Sequence, residues 1–237
     1  KRIYNKLTAK LYSRLPDERP ESDNYIMPKK TDFPRLIIDA ALELASLQGW
    51  KDTTLSDIAN ISGLTLADIY STYPSKTSIV AAYTTRIDET VLRNIDQDLI
   101  DKNGRDRLFD VLMKRFEAME PHKDAVRSIL RASATDLESL ALGPISIYRS
   151  MRWMMEAANI SSSGAMGQLR IKGLALIYLA VLRSWFSDDT EDMAETMISL
   201  DRQLDRAEKL LGLLRRPRRE SDSEIREVSE AMEAETG

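Results

Sequence analysis

Apolar positions recur every three or four residues along most of the chain, and no stretch alternates convincingly with a period of two. The pattern predicts helices throughout. Leu36, Ala40, Leu44 and Leu47 mark one face of a first helix that opens near Pro34, whose fixed φ suits a first helical turn, and Gly49 ends it. Thr54, with Asp57 three residues on, forms a capping signal for a second helix over Leu55 to Ser62, which Gly63 stops. Thr65 and Asp68 repeat that signal for a short third helix from Leu66 to about Tyr73, cut off by Pro74, and Ser75 caps a fourth. Three short helices, the last two joined by a tight glycine-containing turn, spell a helix-turn-helix.

Beyond it, helical blocks are separated by Asn103-Gly104, Glu120-Pro121, Gly143-Pro144, Asn159 to Gly164 and Ser187 to Thr190, which predicts five or six more helices. In the last one Met193, Met197, Leu200, Leu204, Ala207, Leu211 and Leu214 follow spacings of 4, 3, 4, 3, 4, 3. With the segment 166–186 this face either completes a four-helix dimer interface or packs within its own chain. The most apolar run, Gly173 to Leu182, is bounded by Lys172 and Arg183 and is about half the ~20 residues a bilayer requires. It reads as a buried helix and not as a transmembrane one.

Four regions follow: a basic N-terminal extension over 1–32, expected to be flexible; a helix-turn-helix domain over 33–82; a helical ligand-binding and dimerisation domain over 83–214; and a charged tail over 215–237, expected to be disordered. Met27, just before Pro28-Lys29-Lys30, offers an alternative start. The tail's acidic part, 220–237, carries seven acids and one arginine, the composition of a solvated segment.

Composition narrows the chemistry. The 237 residues are 43 % hydrophobic, enough for a sizeable core, and contain only nine glycines and eight prolines, so the fold class is all-α. The absence of cysteine removes disulfides, thiolate metal sites and cysteine nucleophiles, and suits a reducing cytoplasm. The one histidine, His122, follows Pro121 at a helix start with no metal-ligand partner nearby and reads as a surface residue. Asp188 and Asp189, adjacent in sequence, suit helix capping better than paired acid–base work. No glycine-rich phosphate loop is present. The chain is therefore expected to have no catalytic residues, cofactor or metal, and not to be an enzyme.

The net charge of −4 offers no general attraction to nucleic acid. Residues 33–86 carry Arg35, Lys51, Lys76 and Arg86 against Asp39, Glu43, Asp52, Asp57 and Asp68, a balance of −1. A module facing phosphates usually has a positive excess. Asp68 reads as the third position of a capping box, though a carboxylate there could also accept from cytosine N4. Lys29 and Lys30, with Lys1, Arg2, Lys6, Lys10, Arg14 and Arg19, form either a minor-groove arm or plain solubilising charge. Trp50 is expected in the core, and Tyr73 either there or against phosphate.

The run Ala40 to Leu44, Gly49-Trp50, Thr53 to Ala59, Ser62 to Thr65, Ile69-Tyr70 and Tyr73 to Lys76 resembles the DNA-binding domain of the TetR family over about 50 residues. The resemblance implies a TetR-like fold, a transcriptional regulator whose turn and third helix enter the major groove, and a homodimer on a palindromic operator. It assigns DNA contacts to Thr65, Leu66, Tyr70, Ser71, Thr72, Tyr73 and Lys76, with Thr54 reaching phosphate through its cap. The family's second domain holds a small ligand. Trp153, Met154, Met155, Leu174, Ile177, Tyr178, Val181, Leu182 and Trp185 are the candidate lining for an apolar one, or else simple core.

A second resemblance is carried by Ser150 to Ala158, Leu169 to Leu174, Trp185 to Thr190, Thr196 and Leu200 to Leu204, which look like coenzyme Q biosynthesis protein nine. That family shares the TetR-like fold, binds isoprenoid lipid and assists ubiquinone biosynthesis without reading DNA. The two resemblances imply alternative functions.

Overall fold

Capping residues and apolar stripes together explain where the helices begin and end. A computed structural model describes residues 29–95 and 102–215, with side chains described as far as 209. The basic extension up to residue 28, the acidic tail from 216, and the side chains of Leu211 and Leu214 lie outside the described residues. After a 3-10 turn at Lys30–Asp32 come α1 (Phe33–Leu47), α2 (Leu55–Ser62), α3 (Leu66–Thr72), α4 (Lys76–Arg93), α5 (Gly104–Met119), α6 (Lys123–Ser133), α7 (Leu137–Ala157), α8 (Gly164–Ser187) and α9 (Ala194–Arg215). There is no strand among the described residues. The chain clusters into two units, one of residues up to 95 with 114–154, the other of 96–113 with 155–237.

In the first unit α1 is the central post. Ile37, Ile38, Ala41, Leu44 and Ala45 are at most 4 % exposed, and α2, α3, α4 and α6 all pack on it. Ile58 and Ile69, both fully buried, fasten α2 and α3. Along α4, Ile79, Tyr83, Ile87 and Val91 form a buried stripe at spacings of four. A buried ion pair joins three helices: the Arg115 guanidinium on α5 donates to Asp88 on α4 at 2.5 Å, and Ser150 on α7 donates to the same oxygen at 2.6 Å. Burial pushes the Asp88 carboxyl up, against the pull of Arg115 and Ser150. Removing one partner would leave an uncompensated buried charge.

His122 is half-buried, not a surface residue as its sequence context suggested. Its ring meets the buried Tyr83 edge-on, with centroids 5.7 Å apart, and burial lowers its basicity. A second expectation also fails. Gly143-Pro144 does not divide two helices, because α7 runs through it and the break falls at Ala134 to Asp136. Asp136 accepts the Ser139 N–H at 2.8 Å and so opens α7, a cap the sequence reading overlooked. Pro144 cannot serve the Leu140 carbonyl, but both residues are exposed, where water can take that carbonyl.

The second unit is built on α8 packed against α9. Ile171, Leu174, Tyr178, Val181, Leu182 and Trp185 on α8, with Leu200 and Leu204 on α9, are buried. Met193 is also buried, so the described part of the last helix's apolar face packs within its own chain. Met193 precedes α9 in a left-handed conformation, φ 53°. The helix start is capped remotely instead: the buried Asp188 accepts the N–H and hydroxyl of Thr196, both at 2.7 Å, and those of Thr190 at 3.1 and 2.5 Å. Asp188 therefore caps, as its sequence context implied.

The apolar segment of α8 is longer than the ten-residue run read from sequence. The helix has 24 residues and is long and apolar enough to cross a membrane, and about a third of its most apolar stretch is buried. "Buried helix" describes one side of it. Met166, Leu169, Leu176 and Leu179 on the other side are 39 to 69 % exposed.

Candidate nucleic-acid interface

The turn between α2 and α3 is fixed by three local devices. Thr54 and Asp57 close a capping box on α2, with the Asp57 carboxylate accepting the Thr54 N–H at 2.8 Å and the Thr54 oxygen accepting the Asp57 N–H at 3.1 Å. Gly63 then takes φ 70°, a left-handed corner that costs a residue with a Cβ far more than glycine. Thr65 and Asp68 repeat the box on α3, at 3.0 and 3.2 Å. These hydrogen bonds hold the Asp68 carboxyl below its usual range, helped by the charge of Lys30. The capping role of Asp68 is thus the one the geometry supports.

α3 has one anchor. Ile69 is fully buried, while Leu66 is 53 % and Tyr70 73 % exposed, with Thr65, Ala67 and Ser71 also exposed. The expected interface residues therefore divide. Thr54, Thr65, Leu66, Tyr70 and Ser71 lie on the surface; Thr72 and Tyr73 are half-buried, and burial pushes the Tyr73 phenol up.

Lys76, assigned to phosphate by the resemblance, is engaged within the protein. Its ammonium donates to the carbonyls of Trp50 at 2.5 Å and Thr53 at 2.6 Å, and lies 4.5 Å from the centroid of the Trp50 ring. Trp50 is 5 % exposed, a core residue as expected. Desolvation lowers the lysine's pKa, opposed by Asp136, Asp52 and Asp57. Lys76 thus ties the start of α4 to the turn between α1 and α2. A contact 26 residues apart leaves no periodic signal in the sequence. Arg86 is likewise engaged, paired with Asp39 at 2.5 Å. The exposed cations of the head among the described residues include Lys29, Lys30, Arg35 and Lys51.

Residues 37–83 match the family model for bacterial regulatory proteins of the tetR family. The match covers the helix-turn-helix of this TetR-type head and about a fifth of the chain. The TetR regulator from Nitrosomonas europaea ATCC 19718 is similar in fold beyond the head: 23 % identity, TM-score 0.62, covering 73 % of this chain and 97 % of that one. One from Rhodococcus sp. RHA1 gives 17 % identity, TM-score 0.55 and coverages of 74 % and 98 %. The chain has the fold of TetR regulators, an N-terminal helix-turn-helix followed by a helical domain. No curated protein matches it, and the resemblance to coenzyme Q biosynthesis protein nine finds no support in these comparisons.

The nine residues expected around a ligand are placed as follows. Met154, Met155, Leu174, Tyr178, Val181, Leu182 and Trp185 are buried, Ile177 is half-buried, and Trp153 is 51 % exposed. Two open grooves stand out elsewhere. One in the first unit is lined by Trp50, Lys51, Arg127 and Arg131, among others, and one in the second by Arg183, Ser184, Ser199 and Arg202. None of the nine residues lines either. Among the described residues no cluster of three or more acids or histidines could hold a metal.

Proposed function

We propose that the chain is a TetR-type transcriptional regulator that binds an operator through α3 and is controlled by a small apolar ligand in its C-terminal domain. The observation that carries this reading is α3 itself: a short helix held by one buried isoleucine and a capping box, offering Leu66 and Tyr70 to solvent after a left-handed glycine corner. Large side chains left exposed on a rigid element mark a binding surface. Lys29, Lys30 and Arg35 supply phosphate anchors that carry no sequence information, the part first given to Lys76. Footprinting on the DNA upstream of the protein's own gene should show a protected site whose affinity falls with salt. Binding no tighter than to random DNA would remove this reading.

The active form is a homodimer, and the exposed side of α8 is its contact. Met166, Leu169, Leu176 and Leu179, joined by Ile198 on α9 at 58 % exposure, leave apolar surface, interrupted by the exposed Lys172 and Arg183, that a second copy would cover. Two heads joined this way read a palindrome. Leu176→Glu places a charge on this face without touching the core, and should convert a sedimenting dimer into a monomer. A parent protein that sediments as a monomer at micromolar concentration would refute the dimer.

Ligand control belongs to the same proposal. Met155, Tyr178 and Trp185, buried in the second unit, are the residues proposed to line the ligand site, since adaptable sulfur and aromatic side chains suit an apolar guest. A ligand that binds the two states of the dimer unequally shifts operator affinity by that difference. Titrating apolar compounds against the protein–operator complex tests it, with release of DNA as the expected result.

A further inference from the structure

The side chains of α3 define what it can read by what they lack. Leu66–Thr72 is Leu-Ala-Asp-Ile-Tyr-Ser-Thr, with no Arg, Lys, Asn or Gln. Bidentate recognition of guanine uses Arg or Lys, and that of adenine uses Asn or Gln. Neither is available here.

The Thr and Ser hydroxyl protons at α3 are all committed locally, and Asp68 keeps only one carboxylate oxygen open. The Thr65 hydroxyl donates to Asp68 at 2.6 Å and accepts the Asp68 N–H at 3.2 Å. The Ser71 and Thr72 hydroxyls both donate to the Asp68 carbonyl, at 3.0 and 2.8 Å. The Asp68 carboxylate accepts twice from Thr65. Beside the exposed Thr65 and Ser71 hydroxyls, whose protons are committed, and one Asp68 carboxylate oxygen, what faces outward is apolar: the Leu66 side chain, the Ala67 methyl and the Tyr70 ring, with the phenol oxygen at its tip.

In the major groove, the apolar feature that distinguishes base pairs is the 5-methyl group of thymine. We propose that α3 reads its operator chiefly through thymine 5-methyl groups, with Leu66 and Tyr70 as the reading side chains. This rests on the DNA-binding reading above. Leu66 and Tyr70 stand one turn apart on the same face, about 6 Å along the axis. With a base step of about 3.4 Å, they span two neighbouring steps of one strand. The operator half-site is therefore expected to contain adjacent thymines at its core, and guanine N7 and O6 there to be dispensable.

The test uses the full-length chain. Sites are selected from a random duplex pool, and affinities are then measured at one salt concentration for the selected duplex, for copies with deoxyuridine at single thymine positions, and for copies with 7-deazaguanine. Deoxyuridine keeps the base pair and removes only the methyl group. The expected result is a loss of about 3- to 5-fold at each of two neighbouring positions, the worth of one buried methyl, and no loss with 7-deazaguanine at the half-site core. Leu66→Ala should bind the thymine and deoxyuridine duplexes alike at one of these positions while keeping its helical spectrum. Selected sites indifferent to deoxyuridine, or dependent on guanine N7 at the core, would overturn the inference and leave the regulator intact. A pool that enriches no sequence would overturn the regulator itself.

Discussion

Lys76 separates two roles that the sequence cannot distinguish, and replacing it shows which one the protein uses. Lys76→Met keeps the aliphatic stem and removes the ammonium that bridges the Trp50 and Thr53 carbonyls. Trp50 and Thr53 are 5 % and 2 % exposed, so water replaces the lost donors poorly. Hydrogen bonds to a charged group contribute about 1.5–3 kcal/mol each, and a cation over an aromatic ring about 0.5–2. Against this stands the cost of half-burying an ammonium, visible in the lysine's lowered pKa. The net expectation is a loss of about 2–4 kcal/mol, a large part of an ordinary domain's 5–15. Urea denaturation of parent and variant, followed by tryptophan fluorescence, gives the number. DNA affinity should fall only as far as the folded fraction does. If Lys76→Met unfolds within about 0.5 kcal/mol of the parent yet loses tenfold in specific affinity, the lysine serves phosphate and the structural assignment is wrong.

Three further substitutions test the packing of the second unit. A Cβ on Gly167 would lie 2.2 Å from the Ser162 carbonyl carbon, whereas one on Gly173 of the same helix meets nothing within 4 Å. Helix propensity alone favours alanine by about 1 kcal/mol at both sites. Gly173→Ala should raise the melting temperature and Gly167→Ala should lower it, by about 2 kcal/mol of stability or more; equal shifts would contradict the close approach. At Asp188, burial would raise the carboxyl's pKa, but hydrogen bonds from Thr190 and Thr196 pull it from 3.8 down to about 2. A folded pKa below the unfolded one gives stability that is complete above about pH 4 and is lost as pH falls towards 2. The shift corresponds to about 2 kcal/mol. Asp188→Asn should lose about that much at pH 7 and unfold with a shallower acid dependence between pH 4 and 2, as read by circular dichroism. An unchanged acid profile would exclude the cap.

The parts of this fold that were legible in the sequence are those with local causes. Thr54, Thr65 and Ser75 cap helices within three residues of themselves, and Gly63 and Pro74 act at their own positions, so α1 to α4 could be placed from spacing alone. Asp136 is equally local and was eclipsed by Gly143-Pro144, a stronger conventional signal that an exposed helix tolerates. Contacts across tens of residues were not legible. The Lys76 clamp, the Asp88–Arg115 pair and the burial of His122 against Tyr83 depend on which helices meet. The candidate site shows the same division. Its position followed from the capping boxes, but its chemistry depends on Lys76, Arg86, Thr65 and Asp68 each being engaged by another group. A net charge of −1 for residues 33–86 thus understates how little of the surface of α3 is charged. Once the engaged groups are set aside, α3 offers chiefly apolar surface, with the charge of Lys30 close enough to act on Asp68. On the proposed reading, cations off the helix would serve phosphate and apolar side chains on it would serve bases, so that an acidic protein could hold a sequence-specific site without a basic recognition helix.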